Sequence, residues 1–308
     1  MAQPRIAARI VAAARPGCRW RAWRALAASL ALAAWAAASA AAGYETRWVA
    51  FPALEPFEGR AVELEALMFR PRGAGPFPAL VLLHGCGGFY TREGYVTASY
   101  RDWLERLAAA GYVALLVDSF NPRGYRSICE LQKRPILVHR ERVADAYAAA
   151  AWLAREPYVA PDRIGLIGWS NGASGTLYGL RPENQRQPGF RAGVAFYPGC
   201  GALARSETPY RPYAPLLVLA GEADDWTPVA PCVALTAIAK EQGAAMQIVT
   251  YPGAHHSFDR IDLPVRFRPE VRNPNRPEGR GATVGGHPEA RADALERVFE
   301  FLARHLKH

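Results

Sequence analysis

The segment Gly168-Trp169-Ser170-Asn171-Gly172 has the pattern G-x-S-x-G, and an apolar run over residues 164–169 leads into it. In this pattern a strand turns sharply into a helix and leaves the serine hydroxyl exposed at the edge of a sheet. Glycine is needed because neighbouring backbone passes close to the turn. We therefore predict that Ser170 is a nucleophile, and the alternative is a glycine-rich structural turn.

A serine hydroxyl is a weak nucleophile at neutral pH, so it needs a base, and the base needs an acid that orients it. With this turn the three residues are expected in the chain order Ser, Asp, His. Two downstream apolar runs end in suitable segments, GEADDWTP (221–228) and YPGAHHSFD (251–259). The spacing favours Asp224 over Asp225 as the acid, and the following Ser-Phe pair favours His256 over His255 as the base.

A tetrahedral intermediate also needs hydrogen-bond donors for its oxyanion. The segment HGCGG (84–88) follows another apolar run, and its glycines let main-chain N–H groups face a substrate. We predict an oxyanion hole made by the N–H groups of Cys86 and Asn171, the residue after the nucleophile. The alternative is a simple β-turn. A thiol nucleophile at Cys86 is less favoured because no strand-to-helix turn surrounds it.

These segments require a scaffold in which short apolar strands alternate with helices. Continuous apolar strands separated by helices predict an α/β fold, a mostly parallel sheet covered on both faces. The predicted strands are residues 62–69, 78–83, 112–117, 164–169, 192–197, 216–220 and 247–251, and the predicted helices are 97–110, 139–156, 171–180, 229–242 and 288–307. Residues 181–189 and 264–287 are rich in Pro and Gly and are predicted loops. One domain over residues 43–308 accounts for all of these elements.

The N-terminus has the order of a secretory signal peptide, which is an Arg-rich start, an apolar run over residues 25–38 and small residues up to 42. Cleavage after Ala40 or Ala42 satisfies the small-residue rule. We predict a signal peptide over residues 1–42 and a secreted or periplasmic protein. The alternative is an uncleaved anchor, although the run is short and Ala-rich for a spanning helix.

The formal charge of +9 arises mainly in this leader. The leader holds six of the 37 basic residues and no Asp or Glu, so residues 44–308 carry 31 basic and 28 acidic groups. No basic cluster interleaved with aromatics remains, and we predict no nucleic-acid partner.

Export also changes how the cysteines are interpreted. Beyond Cys18 the chain has four, Cys86, Cys129, Cys200 and Cys232. An even number in an oxidising compartment predicts one or two disulfides, and the sequence leaves three complete pairings open. The spacings suit no zinc site, and we predict neither a metal nor a cofactor.

Six motifs occur along the chain in this order: HGCGG, VDSFNPRG, GWSNG, FYPGC, GEADDWTP and YPGAHHSFD. Through these motifs the chain resembles the dienelactone hydrolase family of the α/β-hydrolase superfamily, in its exported, serine-bearing branch. The resemblance spans about residues 76–307 and implies the α/β-hydrolase fold and an ester or lactone substrate. This chain departs from the family pattern in the chemistry of its nucleophile. The founding members of the family use a Cys nucleophile with a Glu near the oxyanion strand, whereas this chain has Ser170 and no such Glu beside His84.

The resemblance also suggests that Arg123 lines the pocket, where its planar guanidinium would suit a substrate carboxylate. The alternative is that Arg123 pairs with a nearby carboxylate and shapes its loop. Cys129 lies shortly after this loop and Cys232 shortly after Asp224. A Cys129–Cys232 disulfide that joins the two loops is our hypothesis.

Two tryptophans flank the predicted nucleophile and acid, Trp169 and Trp226, and either could form an apolar wall for a substrate. Packing beneath the catalytic loops is the favoured role of Trp169, because its strand position directs it away from Ser170.

We therefore expect a serine hydrolase that cleaves a small ester or lactone through an acyl-enzyme, with no stable membrane insertion after cleavage of the leader. Three alternatives stay open. They are an exported serine peptidase of the same fold, haloalkane or carbon–carbon chemistry on this scaffold, and a non-catalytic binding protein. The sequence leaves the acyl and alcohol preference and the oligomeric state undetermined.

Overall fold

The sheet at the centre of the molecule has eight strands, and a separate two-stranded hairpin lies outside it. The computed structural model describes residues 43–261 and 263–308, so the predicted signal peptide lies outside the described residues. The strands are β1 Tyr44–Pro52, β2 Glu63–Pro71, β3 Phe77–Leu83, β4 Val113–Asp118, β5 Val159–Trp169, β6 Ala192–Phe196, β7 Leu216–Gly221, β8 Met246–Tyr251, β9 Arg266–Arg272 and β10 Arg280–Val284.

The strand order in the sheet is β1-β2-β4-β3-β5-β6-β7-β8. The pairs from β4 to β8 are all parallel, and only the β1–β2 and β2–β4 pairs are antiparallel. This mostly parallel sheet confirms the predicted α/β class. Because the parallel strands share one direction, the segments that follow β3, β5, β7 and β8 leave the sheet at the same edge.

Helices connect the parallel strands and cover both faces. They are α1 Ala98–Ala109, α2 Glu141–Leu153, α3 Asn171–Gly179, α4 Gly201–Ala204, α5 Ala230–Glu241 and α6 Pro288–Leu306. Five of them lie where the sequence predicts helices, and the short α4 was not predicted. Among the described residues, no helix is long and apolar enough to cross a membrane.

The strand PALVLL shows why this sequence forms a central strand. Ala79, Val81 and Leu83 belong to one buried cluster, whereas Leu80 and Leu82 belong to a second cluster on the opposite face. Side chains alternate between the faces of a strand, so a strand that is apolar at every position must be buried on both. The first cluster packs against α2, α3 and α5, and the second against α1 and α6.

Two segments differ from the prediction. The edge strand β1 was not predicted, since only Val49 and Phe51 of its sequence YETRWVAFP are buried and no continuous apolar run marks it. The segment 264–287 was predicted as a loop, but it contains the antiparallel hairpin β9–β10. Its strands are rich in Arg and contain Pro269, features that weaken a strand prediction because proline cannot donate to a β-ladder.

Candidate active site

Ser170 occupies the turn between β5 and α3 with φ 53° and ψ −112°. A non-glycine residue with positive φ is strained, and such strain persists only where the surroundings hold it. The Ser170 N–H donates to the carbonyl of Phe196 on β6, 2.9 Å away. At Gly172 a Cβ atom would clash with the main-chain carbonyl of Leu83, so the helix can approach β3 only with glycine there.

The structure brings Ser170, His256 and Asp224 into one hydrogen-bonded row. Nε2 of His256 lies 2.9 Å from Oγ of Ser170, and Nδ1 of His256 lies 2.7 Å from Oδ2 of Asp224. Asp224 follows β7 and His256 follows β8, two neighbouring strands of the sheet. Because the carboxylate can only accept, Nδ1 carries the proton and Nε2 is left to accept from the serine hydroxyl.

The turn after β7 holds the Asp224 carboxylate in place. Oδ1 accepts from the N–H groups of Trp226 at 2.9 Å and Thr227 at 2.8 Å. Oδ2 accepts from the Thr227 hydroxyl at 2.8 Å as well as from His256. The side chains of Asp224 and His256 are buried, with residue exposures of 4% and 2%. The carboxylate therefore faces the imidazole with little freedom to turn.

The two less favoured candidates face other partners. Nδ1 of His255 lies 2.9 Å from the carbonyl of Ala223. Asp225 accepts from the N–H of Thr283 at 2.7 Å and from the guanidinium of Arg276 at 2.8 Å. Burial alone would raise the pKa of Asp225, but these bonds outweigh burial and hold the pKa below its usual range.

Two aromatic rings enclose the His256 imidazole. The ring of Trp226 lies 4.7 Å from it, and the ring of Tyr197 lies 4.6 Å from it, both between centroids. Nε1 of Trp226 donates to the carbonyl of Arg272 on β9 at 2.9 Å. Tyr197 was not a predicted site residue, although it stands in the motif FYPGC directly after β6. Its φ of 42° is a tertiary feature that the sequence does not reveal.

The segment after β3 passes beside the nucleophile, as predicted for an oxyanion loop. A Cβ atom placed on Gly85 would lie 3.5 Å from Cβ of Ser170. Cys86 lines the cavity at Ser170. Asn171 is the first residue of α3, where main-chain N–H groups have no partner within the helix. Both predicted oxyanion donors therefore belong to segments that meet at Ser170.

The disulfides are Cys86–Cys129 and Cys200–Cys232, so the hypothesis of a Cys129–Cys232 bond is wrong. The reason is the path of the backbone. The N–H of Ile128 donates to the carbonyl of Cys86 at 2.9 Å, which places residue 129 beside the oxyanion loop. The sulfur of Cys86 is bonded, so it is not a thiolate nucleophile.

Buried charges support the oxyanion loop from behind. Nη2 of Arg142 donates to the carbonyl of His84 at 2.6 Å, and Nη1 lies 3.3 Å from Nε2 of the same imidazole. The Ser119 N–H also points at this Nε2, which fixes it as an acceptor and makes the imidazole neutral. Burial, followed by the Arg142 charge, lowers the pKa of His84 well below its usual value. Burial lowers the pKa of Arg142 to about 10, so it stays charged at neutral pH.

Arg123 lies elsewhere than the resemblance suggests. Its guanidinium forms two hydrogen bonds to the Asp145 carboxylate, at 2.7 and 2.8 Å, and a third to the carbonyl of Ser119. Both side chains of the ion pair are buried, with exposures of 1% and 0%. Burial raises the pKa of Asp145, and the Arg123 guanidinium opposes that rise. This corrects the prediction of a pocket cation at Arg123 in favour of the alternative, an internal ion pair.

Asp259 is a further residue that the sequence did not single out. Its carboxylate is buried and accepts from Nε1 of Trp103 at 2.9 Å, Nε1 of Trp169 at 2.8 Å and the hydroxyl of Tyr197 at 2.7 Å. These donors come from α1, β5 and the end of β6. Trp169 therefore packs in the core behind Ser170, with its ring stacked on Phe196. The motif HHSFD contains Asp259, but only the fold brings its three donors together.

A cavity of about 730 Å³ opens over Ser170 and His256. Trp226 and Tyr197 line it, together with residues of the oxyanion loop and of the β9–β10 hairpin. Its charged lining residues are Arg92, Arg126, Arg260, Arg266, Arg268, Glu93, Glu130 and Glu270. Cations thus outnumber anions at the cavity by five to three. Within residues 43–261 and 263–308, no cluster of His, Cys, Asp or Glu is suited to hold a metal ion.

A mostly parallel sheet with a serine at a strand-to-helix turn, and with an aspartate and a histidine after two later strands, defines an α/β hydrolase. The model of the dienelactone hydrolase family matches residues 64–306. The chain therefore belongs to the dienelactone hydrolase family, whose carboxylic ester hydrolases include esterases and lactonases.

Named relatives agree with this placement. The chain is 27% identical over 205 residues to a probable 2-oxo-3-(5-oxofuran-2-ylidene)propanoate lactonase of Bradyrhizobium, which covers 63% of this chain and 78% of the relative. Esterase 2 of Thermogutta terrifontis superposes with a TM-score of 0.57 at 20% identity, covering 85% of this chain and 92% of the esterase. The dienelactone hydrolase-like promiscuous phosphotriesterase P91 from metagenomic libraries superposes with a TM-score of 0.58 at 17% identity, covering 85% and 99%. At these identities the two structures show a shared fold.

The Arg123–Asp145 pair gives a first prediction. Replacing Arg123 by Met leaves Asp145 buried without its partner, and we expect the free energy of unfolding to fall by about 3–5 kcal/mol. Because Arg123 faces Asp145 and not the cavity, KM should stay unchanged at a temperature where the variant is folded. Urea unfolding and steady-state kinetics measure the two quantities. A several-fold rise in KM with unchanged stability would contradict the assignment.

The two disulfides give a second prediction and provide a matched pair. Cys86–Cys129 constrains the predicted oxyanion loop, and the variant Cys86→Ala/Cys129→Ala should lower kcat by about tenfold. That is a fraction of the roughly 100-fold decrease in kcat that loss of one oxyanion donor causes. The control is Cys200→Ala/Cys232→Ala, which opens a loop of similar length, 32 residues against 43. Both variants should lose stability by about 2–4 kcal/mol. Equal kcat values for the two variants would show that the first disulfide does not act on the site.

Proposed function

We propose that the protein hydrolyses carboxylic esters or lactones through an acyl-enzyme on Ser170. The observation that carries this proposal is the row of hydrogen bonds from Asp224 through His256 to Ser170, with lengths of 2.7 and 2.9 Å. Such a row supplies a base for the serine hydroxyl and an acid that orients the base. Membership of the dienelactone hydrolase family supports the choice of ester or lactone chemistry.

In the first step, Oγ of Ser170 attacks the substrate carbonyl carbon while Nε2 of His256 takes the hydroxyl proton. Asp224 stays ionised, keeps the proton of Nδ1 in place and stabilises the imidazolium that forms. The main-chain N–H groups of Cys86 and Asn171 donate to the oxyanion of the tetrahedral intermediate. His256 then gives its proton to the leaving alkoxide oxygen, and the carbon–oxygen bond of the ester breaks.

In the second step, water attacks the acyl-enzyme with His256 again acting as base. The carbonyl re-forms, the bond to Oγ of Ser170 breaks, and the carboxylic acid product leaves with the serine proton restored. In a lactone the alkoxide and the acyl group are one molecule, so the product is a single hydroxy acid. No step in this sequence requires a cofactor.

The cavity favours a substrate that carries a negative charge. Five arginines and three glutamates line it, and Arg268 is already paired with Glu270 at 2.8 Å. A guanidinium suits a carboxylate because it offers a planar pair of donors. The relative from Bradyrhizobium is named for a lactone of a keto acid, and that name agrees with an anionic lactone for this chain too. Both Trp226 and Trp169 line the cavity. Trp226 is proposed as an apolar contact for the rest of the substrate, whereas the Trp169 ring packs in the core and donates to Asp259.

The nucleophile is tested with a fluorophosphonate, which reacts with activated serines. Intact and peptide mass spectrometry should locate a single adduct on Ser170, and the Ser170→Ala variant should keep the fold and lose about 10⁴-fold or more in kcat for p-nitrophenyl acetate. Circular dichroism of the variant supplies the folding control. If folded wild-type protein gives no adduct, the hydrolase proposal fails and a non-catalytic binding protein becomes the better account.

We further propose that the protein is exported and functions in an oxidising compartment. Two disulfides among the described residues support this, because such bonds persist outside the cytosol. When the full chain is expressed in a bacterium with its leader, the protein recovered from the periplasm should begin at Ala41 or Gly43. N-terminal sequencing and intact mass test this. An intact leader on membrane-bound protein would support the anchor alternative instead.

A further inference from the structure

The β9–β10 hairpin forms one wall of the cavity. Among its residues, Arg266, Phe267, Arg268, Glu270 and Val284 line the cavity. It lies outside the eight-stranded sheet and forms no ladder with it. A two-stranded hairpin is marginally stable by itself. Its position therefore comes from Val271, Ala282 and Val284, which pack in the first core cluster, and from contacts with the loops around it.

The Asp225 side chain supplies three of the hydrogen bonds between the hairpin and these loops. Its Oδ1 accepts from the N–H of Thr283 at 2.7 Å, and its Oδ2 accepts from the Thr283 hydroxyl at 3.1 Å and from Arg276 at 2.8 Å. Thr283 lies on β10, and Arg276 lies in the turn between the strands. Asp225 directly follows Asp224, so the hairpin is tied to the same turn that holds the acid of the triad.

Both partners of Asp225 contact Phe267. Thr283 is the cross-strand neighbour of Phe267 in the hairpin register. The guanidinium of Arg276 lies over the Phe267 ring, 5.0 Å from its centroid. A Cβ atom on Gly281 would clash with the Phe267 ring, so the ring packs directly against the backbone of Gly281. Asp225 therefore fixes the Phe267 ring through two separate routes.

Phe267 is one of the residues that line the cavity, and it is 51% exposed. A large apolar side chain that is fixed in position yet half open to solvent leaves apolar area for a ligand to cover. The cavity of about 730 Å³ is larger than a small acetyl ester needs, so the wall matters for larger substrates. Asp224 and His256 are buried, and the Asp224 carboxylate is held by other bonds.

We propose that Phe267 is a specificity-determining residue, which binds an aromatic or extended apolar group of the ester, and that Asp225 is the positioning residue that fixes it. The inference rests on the proposed ester hydrolysis. It adds to that function a preference for substrates with an apolar group that reaches the hairpin. It also gives the second aspartate of the DD pair a role distinct from that of Asp224.

The test compares two matched substrate pairs, so that either side of the ester can carry the large group. One pair is p-nitrophenyl 3-phenylpropionate and p-nitrophenyl acetate, and the other is benzyl acetate and methyl acetate. In Phe267→Ala we expect the preference for the larger member of at least one pair to fall by about five- to tenfold in kcat/KM, through KM. In Asp225→Ala we expect a loss on the same pair. The kcat for p-nitrophenyl acetate should stay within about twofold in both variants.

Two further variants separate selectivity from general destabilisation. Asp293→Ala removes a carboxylate of the same kind on α6, which accepts from Arg297 of the same helix at 2.6 Å and from Tyr251 of β8 at 2.9 Å. It should leave both preferences unchanged. Phe267→Tyr keeps the ring and should retain the preference of the wild type. Thermal unfolding of all variants confirms that each is folded under assay conditions.

The outcomes distinguish this inference from the proposed function. Wild-type protein that hydrolyses none of the four esters and forms no adduct on Ser170 would refute the hydrolase itself. Wild-type activity with unchanged preferences in Phe267→Ala would overturn the specificity role of Phe267. A loss in Asp225→Ala that is equal for all four esters and carried by kcat would show that Asp225 acts on the triad, and would overturn its role in positioning the hairpin.

Discussion

The turn at Ser170 is the constraint on which the rest of the site depends. Its φ of 53° is unfavourable for serine and places the hydroxyl at the sheet edge, where the base can reach it. The chain holds this turn with a main-chain bond to β6 and with glycine at position 172, against the carbonyl of Leu83. The free energy that opposes the strain comes from the core on both faces of the sheet. The geometry of the candidate site and the packing of the core are therefore coupled.

The parallel order of the strands places Asp224 and His256 beside each other. Because β7 and β8 are neighbours and point the same way, the turns that follow them carry Asp224 and His256 to within 2.7 Å of each other. The same turns also attach the hairpin, since Asp225 binds Thr283 and the carbonyl of His256 accepts from Gly285 at 3.0 Å. One sheet edge thus organises both the chemistry and the wall of the cavity.

Buried charged side chains near this edge pair with other buried polar groups. Arg142 binds His84, Arg123 binds Asp145, and Asp259 collects three donors from separate elements. Burial of a charge is costly unless it is paired, so these contacts contribute geometry more than net stability. They lie directly behind the predicted oxyanion loop and the strand that leads to Ser170, where they can hold both segments in place. They rigidify the site without entering the cavity.

The sequence by itself determined seven strands of the sheet, five helices and the three motifs, because buried parallel strands need continuous apolar runs and the turn at Ser170 needs glycine. The hairpin was missed because arginines and Pro269 mask its strand pattern. Only the tertiary structure decided that Arg123 pairs with Asp145, that Cys86 pairs with Cys129, and that Asp225 holds the hairpin. Local sequence fixes backbone preference and periodicity. Which distant side chains meet depends on how the elements pack, and no local pattern encodes that.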